Sequence, residues 1–181
     1  LQLFLLIFGG CFVWFSVWSA FDFILEGKFQ EHFRKVKHMK KIAKLKNHYI
    51  ICGAGRVGMS VAEELQKKGK QVVMAEKDPT LAEHLHDRGF LVVKGSSVDE
   101  DTLIRAGIKN AKGLIAATGD DGKNIIITLN AKELNPKIII GARIGHKNLI
   151  KKIKNAGAKY VVLPEVLGGT DLVNNLLKNK T

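Results

Sequence analysis

The sequence predicts an α/β fold: a Rossmann-like, doubly wound parallel sheet preceded by one transmembrane helix and a basic helical linker. Three observations predict it. Short apolar runs recur between helical patterns and are continuous rather than alternating, as strands covered on both faces read. The first of them, Tyr49-Ile-Ile-Cys52, breaks into Gly53-Ala-Gly-Arg-Val-Gly58, and helical spacing follows from Met59 to Leu65. Ahead of these runs, Leu1 to Phe21 carries no charge.

That first stretch, roughly 21 residues at ~1.5 Å per residue, matches the ~30 Å hydrocarbon thickness of a bilayer. A signal peptide carries its positive charge before the apolar run, and here the charge comes after it. The basic flank is Lys28, Arg34, Lys35, Lys37, Lys40, Lys41, Lys44 and Lys46. The positive-inside rule makes that flank cytoplasmic, so the expected location is the cell membrane, with the α/β domain in the cytoplasm. The same charges suit anionic lipid headgroups. Phe29, Phe33, Val36 and Ile42 give the flank a partial apolar stripe, as in a helical spacer. Gly9-Gly10 interrupts the membrane helix, a place for close packing or for a hinge.

From His48 onward strands and helices alternate. The helix after the glycine run stops near Gly69, and Val72–Ala75 reads as the second strand. Pro79 opens a helix that Gly89 ends, since proline suits a first helical position and glycine the exit. Phe90–Val93 is the third strand, followed by Lys94-Gly-Ser-Ser97. Asp99-Glu100-Asp101 marks the next helix start, where acids suit the dipole. Gly113–Thr118 is the fourth strand, Gly119–Gly122 the turn into a helix through Leu134, and Pro136 forbids its continuation. Ile138–Arg143 is the fifth strand, 148–155 a helix, and Tyr160–Leu163 the sixth strand. After Pro164, residues 166–179 read as a helix leaving the domain with Val166, Leu167, Leu172, Val173, Leu176 and Leu177 as apolar positions. The expected organisation is therefore 1–24 membrane helix, 25–47 linker, 48–165 nucleotide domain, and 166–181 the start of a crossover or dimerisation helix.

Strand, G-x-G-x-x-G and helix together carry a mechanism. One glycine permits the tight turn, one lets a pyrophosphate approach the backbone, and one lets helix and strand pack closely. The helix N-terminus offers unpaired N–H groups to a phosphate. Glu76 ends the second strand about twenty residues on, where an acid holds ribose hydroxyls.

Length and charge bound the rest. The chain has 181 residues and a formal net charge of +12. Much of that charge sits in the linker, so nucleic acid is not an expected partner. The first residue is Leu rather than Met, so an excised segment is expected. Cys11 and Cys52 are not placed for a disulfide. His84 and His86 are two apart on a helix and do not share a face, and no metal site is expected. No Ser-His-Asp set, carboxylate pair or Cys-His pair emerges, and there is no room for a substrate domain, so an enzyme is not expected.

An apolar helix, Glu26-Gly27, a basic spacer and then Leu45-Lys-Asn-His-Tyr-Ile-Ile-Cys-Gly-Ala-Gly-Arg-Val-Gly58 resemble prokaryotic two-helix potassium channels with a cytoplasmic RCK, or TrkA-N, domain. The resemblance implies a pore-lining inner helix hinged at Gly9 or Gly10, a ring of regulatory domains in a homo-oligomer, and K⁺ as the transported ion. It implies that Gly53, Ala54, Gly55, Arg56, Val57 and Gly58 form the phosphate loop and that Glu76 binds ribose. Lys77 follows Glu76 as a further candidate. Ala117-Thr118, Asp121 and Asn124 match the family's loop after the fourth strand, and Arg143 its fifth-strand arginine. Gly95-Ser96 stands where the family often has Gly-Asp. The outer helix, pore helix and filter are not in the sequence.

Ca²⁺ wants several oxygen ligands. The corresponding positions here are Ser96, Arg143 and Gly145, a poor cage for it, whereas Arg143 suits a phosphate. The expected ligand is NAD(H) or an adenine nucleotide (ATP, ADP or AMP), and Glu76 favours an unphosphorylated ribose. Two alternatives stay open: the regulatory domain of a potassium/proton antiporter, and a membrane-anchored NAD-dependent oxidoreductase.

Overall fold

A computed structural model describes residues 2–25 and 38–178. The chain divides into two units, Leu1–Lys40 and Lys41–Thr181. In the first, α1 (Gln2–Leu25) runs unbroken through Gly9 and Gly10, and Ser16 Oγ donates to the Phe12 carbonyl at 2.8 Å. Lys28, Arg34, Lys35, Lys37 and most of the expected spacer lie outside the described residues.

The membrane expectation is corrected. Among the described residues, no helix is long and apolar enough to cross a membrane. The transmembrane inner helix, the two-helix channel architecture built on it, and the placement of the chain at the cell membrane are withdrawn with that finding.

The second unit holds the sheet. Its strands are β1 (Tyr49–Cys52), β2 (Val72–Glu76), β3 (Leu91–Lys94), β4 (Gly113–Ala116), β5 (Ile139–Arg143) and β6 (Tyr160–Val162). All neighbours are parallel, in the order β3-β2-β1-β4-β5-β6. The helices between them are α2 (Arg56–Lys67), α3 (Pro79–Asp87), α4 (Glu100–Arg105), α5 (Asp121–Leu134) and α6 (Ile150–Asn155), and α7 (Pro164–Lys178) follows β6. This is the doubly wound sheet that the continuous apolar runs predict.

Strand alternation explains the core. Ile51, Val72, Met74 and Val92 share one face and form a buried cluster with Ala62 of α2 and Ala82 and Leu85 of α3. Ile50, Val73 and Cys52 point the other way and are equally buried. With both faces covered, only the strand ends remain for function. The N-terminal end of β1 is covered: Ile42 and His48 are fully buried, and His48 Nε2 donates to the Ala106 carbonyl at 2.9 Å. Burial lowers the His48 pKa and the hydrogen bond only partly opposes it, so the ring is held neutral there.

The helix starts differ from expectation in one respect. Asp99 makes no side-chain cap bond; Asp101 pairs with Arg105 at 2.7 Å instead. The capping carboxylates are Asp78, accepting from Leu81 N–H, and Asp120, accepting from Lys123 N–H.

Candidate functional site

The chain leaves β1 for β2 on one side and reaches β4 on the other, so the C-terminal ends of β1 and β4 flank a crevice where the strand order reverses. Ligands of open α/β sheets bind at such a point. The three loop glycines divide the work there. Gly53 has φ +93°, and a Cβ on it would lie 3.0 Å from Thr118 Cα; only glycine allows this turn beside the β4 loop. A Cβ on Gly58 would run into the Gly53 carbonyl oxygen, so α2 seats on the end of β1 because that side chain is missing. Gly55 is the opposite case. Its φ is −71°, and a Cβ there would meet nothing within 4 Å. The space over Gly55 is open to a ligand, and the N-cap of α2 carries no side-chain hydrogen bond. Free N–H groups at a helix start beside open space are an anion seat.

Glu76 is buried at the end of β2 and fully engaged. Its Oε2 accepts the Ala54 N–H at 2.8 Å, and its Oε1 accepts the N–H groups of Lys77 at 2.9 Å and Asp78 at 3.0 Å. The carboxylate therefore fixes the glycine loop to the second strand. It also lines a cavity of about 270 Å³ with Gly53, Ala54, Gly55, Lys77, Ser96, Ser97, Val98, Thr118, Asp120, Lys123 and Ile127. Beneath it, burial pushes the Cys52 thiol up to about 12, against a smaller opposing hydrogen bond with Ser97, so that sulfur stays an inert thiol.

A second cavity of about 390 Å³ continues past the loop, lined by Gly55, Arg56, Val57, Ala117, Thr118, Gly119, Arg143, Pro164 and Glu165. Gly55, Ala117, Thr118 and Gly119 line both cavities and form the saddle of one groove. Asn124, fully buried in α5, holds that saddle. Its Oδ1 accepts from Thr118 N–H at 3.0 Å and from Thr118 Oγ1 at 2.7 Å. Its Nδ2 donates to the carbonyls of Thr118 at 3.1 Å and Arg143 at 2.9 Å. Every polar valence of the amide that matters is met. Arg143 reaches Thr118 O with Nη1 at 3.2 Å and Glu165 Oε1 with Nη2 at 2.8 Å.

Of the residues predicted from sequence, Gly53, Ala54, Gly55, Glu76, Lys77, Ser96 and Thr118 meet in the first cavity, and Arg56, Val57 and Arg143 in the second. Gly58 stands behind the loop rather than in the groove. Gly9 and Gly10 belong to the other unit. Sequence reasoning missed Glu165, the partner of Arg143, although an acid next to Pro164 at a helix start is a visible signal. It named Asn124 without a role, and it missed Val98 and Ile127, the apolar lining of the first cavity.

A parallel sheet in this order, with a glycine loop at the switch point and a carboxylate closing β2, is the architecture of a Rossmann-type nucleotide-binding domain. Residues 49–164 match the TrkA-N domain, and the chain belongs to that family. Members are regulatory nucleotide-binding domains of channels and transporters rather than catalysts. The chain is 38% identical over 160 residues to "Potassium channel protein 1" of Methanocaldococcus jannaschii, spanning 87% of this chain and 48% of that one. Among solved structures it resembles the TrkA-N domain of the inner membrane protein ybaL from Escherichia coli, with a TM-score of 0.67 and 28% identity over 76% of this chain and 99% of that one. It also resembles the GsuK channel bound to NAD, with a TM-score of 0.61 and 25% identity over 66% of this chain and 22% of that one. The chain thus spans about half the length of the curated potassium-channel relative that it matches.

Proposed function

We propose that the groove binds NAD(H) or an adenine nucleotide and that its occupancy regulates K⁺ passage through the transport protein to which the domain belongs. The observation that carries this reading is the contrast among the loop glycines. Gly53 and Gly58 are needed by the protein's own packing; Gly55 is not, and it opens on the α2 N-terminus. A phosphate over Gly55 would find backbone N–H donors, with Arg56 and Arg143 in the same cavity. The Glu76 carboxylate beside it suits ribose hydroxyls, and the apolar Val98 and Ile127 suit a base. The potassium-channel relative and the NAD-bound GsuK structure supply the biological direction. A ligand moves a gate only by its differential affinity for two states.

We further infer that the domain self-associates. α7 buries none of its residues, and Leu172, Val173, Leu176 and Leu177 are each more than half exposed. A second copy of this chain would cover them. Val173 and Leu177 lie four apart on one face, and replacing both with Asp should shift the chain towards monomer in sedimentation. A monomeric parent at high concentration removes the basis for the inference.

Thermal melts test the ligand. NAD(H), ATP, ADP or AMP should raise the melting temperature, equivalent to ~2.7 kcal/mol at a hundredfold excess over Kd. Gly55→Asp should abolish the shift, since charge and bulk would then occupy the phosphate seat. A rise with Ca²⁺ and none with any nucleotide would assign the wrong ligand class.

A further inference from the structure

The second cavity already contains an anion. Its charged lining residues are Arg56, Arg143 and Glu165, and the Glu165 carboxylate sits 2.8 Å from Arg143 Nη2. The two partners are held unequally. The Arg143 side chain is 17% exposed and Glu165 57%. Arg143 is anchored twice more: Nη1 donates to Thr118 O at 3.2 Å, and its own carbonyl accepts from buried Asn124. Glu165 has, besides Arg143, only its own backbone N–H; it projects from the first turn of α7, a helix that buries no residue of its own. If this pair opens, the glutamate moves and the arginine stays.

We propose that Glu165 occupies the seat of a ligand phosphate on Arg143, so that a nucleoside di- or triphosphate reaching Arg143 must displace it and thereby releases the root of α7. This rests on the nucleotide reading of the groove and adds to it a ligand preference and a route out of the site. A phosphate over Gly55 binds the α2 N-terminus without needing Arg143. A further phosphate, extending along the second cavity, meets a guanidinium that is preorganised for a tetrahedral oxyanion and engages it by charge-assisted, bidentate hydrogen bonds. Carboxylate and phosphate compete for the Nη2 donor of Arg143, and the more highly charged group gains more from the nearby Arg56. The Glu165 carboxyl is already held below its usual range, chiefly by the Arg143 hydrogen bond, then by a hydrogen bond from its own backbone N–H, with smaller contributions from the Arg143 and Arg56 charges outweighing a slight burial. It is therefore ionised at neutral pH and acts as a true competitor. Ligands that stop at one phosphate leave the pair closed; longer phosphate chains open it. Glu165 is on this account the residue that makes the groove count phosphates, and α7 the element that reports the count.

Calorimetric titration of the full chain with AMP, ADP and ATP tests this, alongside Glu165→Gln and Arg143→Gln. Glu165→Gln should tighten ATP by about 5–10-fold, near 1–1.4 kcal/mol, while AMP changes by less than about twofold. Arg143→Gln should erase the difference among the three ligands. Hydrogen exchange supplies the second readout. ATP should speed exchange of the amides at 165–170 in the parent, and Glu165→Gln should show the faster exchange before any ligand is added. Equal changes for AMP and ATP, no change for either, or α7 amides indifferent to ATP overturn the proposal while the nucleotide reading stands. If neither these three nucleotides nor NAD(H) binds the parent, both readings fall together.

Discussion

The two halves of the groove hold their charged residues by opposite means. On the β2 side, Glu76 is buried and held by backbone: three N–H groups from the glycine loop and the start of the α3 turn converge on one carboxylate. On the β5 side, Arg143 is answered by a side chain, and that side chain is more than half exposed. Backbone partners cannot leave without unfolding the loop, whereas a surface carboxylate is exchanged at little cost, since exposed ion pairs contribute ~0–1 kcal/mol. The first half is thus a fixed seat and the second a replaceable one. A domain that must sense a ligand and also change on binding it needs both.

Substitutions break this contrast in a graded way. The largest effect belongs to Gly58, which stands behind both halves. Gly58→Ala places a Cβ against the Gly53 carbonyl, backbone that cannot step aside, and should cost ~3 kcal/mol in urea denaturation. Gly55→Asp, three residues away, should cost no more than ~0.5 kcal/mol by the same measurement, because the space there is open. Equal losses at the two positions would show that the loop does not divide into packing and ligand glycines. Next comes Asn124→Ala, which takes away the partner of the Thr118 N–H and of the Arg143 carbonyl in a part-buried place. About 2 kcal/mol should be lost, and discrimination among phosphates should weaken because Arg143 is no longer fixed. Glu76→Gln should cost ~1.5 kcal/mol, since a carboxamide keeps one acceptor oxygen and turns an NH₂ towards backbone donors. If Glu76 works through the loop, Glu76→Gln should weaken adenosine nucleotides and their 2′,3′-dideoxy analogues by the same factor. Loss confined to the ribose-hydroxyl forms would assign Glu76 to the sugar alone.

Much of this was readable from the chain, and the division follows a physical line. The sheet was legible because parallel strands buried on both faces must be apolar at consecutive positions, as in the buried Val72–Ala75 of β2. The glycine loop was legible because local backbone geometry is a property of adjacent residues. Arg143 with Glu165 was not, since they are 22 positions apart and only the closing of β5 against the root of α7 brings them together. Asn124 was visible as a residue and invisible as a keystone: a polar position in a helix looks the same whether it faces water or makes four hydrogen bonds within the protein. Asp99 does stand at the N-cap position its acids suggested, yet its side chain makes no cap bond, and the carboxylates that cap are Asp78 and Asp120. Leu1–Phe21 misled because hydropathy sums composition along a run, and the described residues contain no helix long and apolar enough to cross a membrane.

The smallest expected effect concerns pH and sharpens the picture of the replaceable half. Asp121 at the start of α5 holds the loop after β5: Oδ1 accepts from Gly145 N–H at 2.8 Å, and Oδ2 meets His146 N–H at 3.1 Å and Nδ1 at 2.7 Å. Burial on its own would raise this carboxyl's pKa, but the Gly145 and His146 hydrogen bonds, with the His146 charge, outweigh it and bring it below the ordinary value. A carboxylate whose folded value lies below its unfolded one contributes stability that is fully present above the unfolded value, near 4. That contribution is lost as pH falls through the folded value. Denaturant midpoints of the parent should therefore drop on acidification below about pH 4, and Asp121→Asn should lower the midpoint at neutral pH while flattening its acid limb. Glu165, also depressed but more than half exposed, should leave that limb unchanged when replaced by Gln. An acid limb that follows Glu165 rather than Asp121 would mean that the Arg143 pair, and not the Asp121 loop clamp, anchors β5 to its neighbours, and the exchangeable partner would then be a structural one.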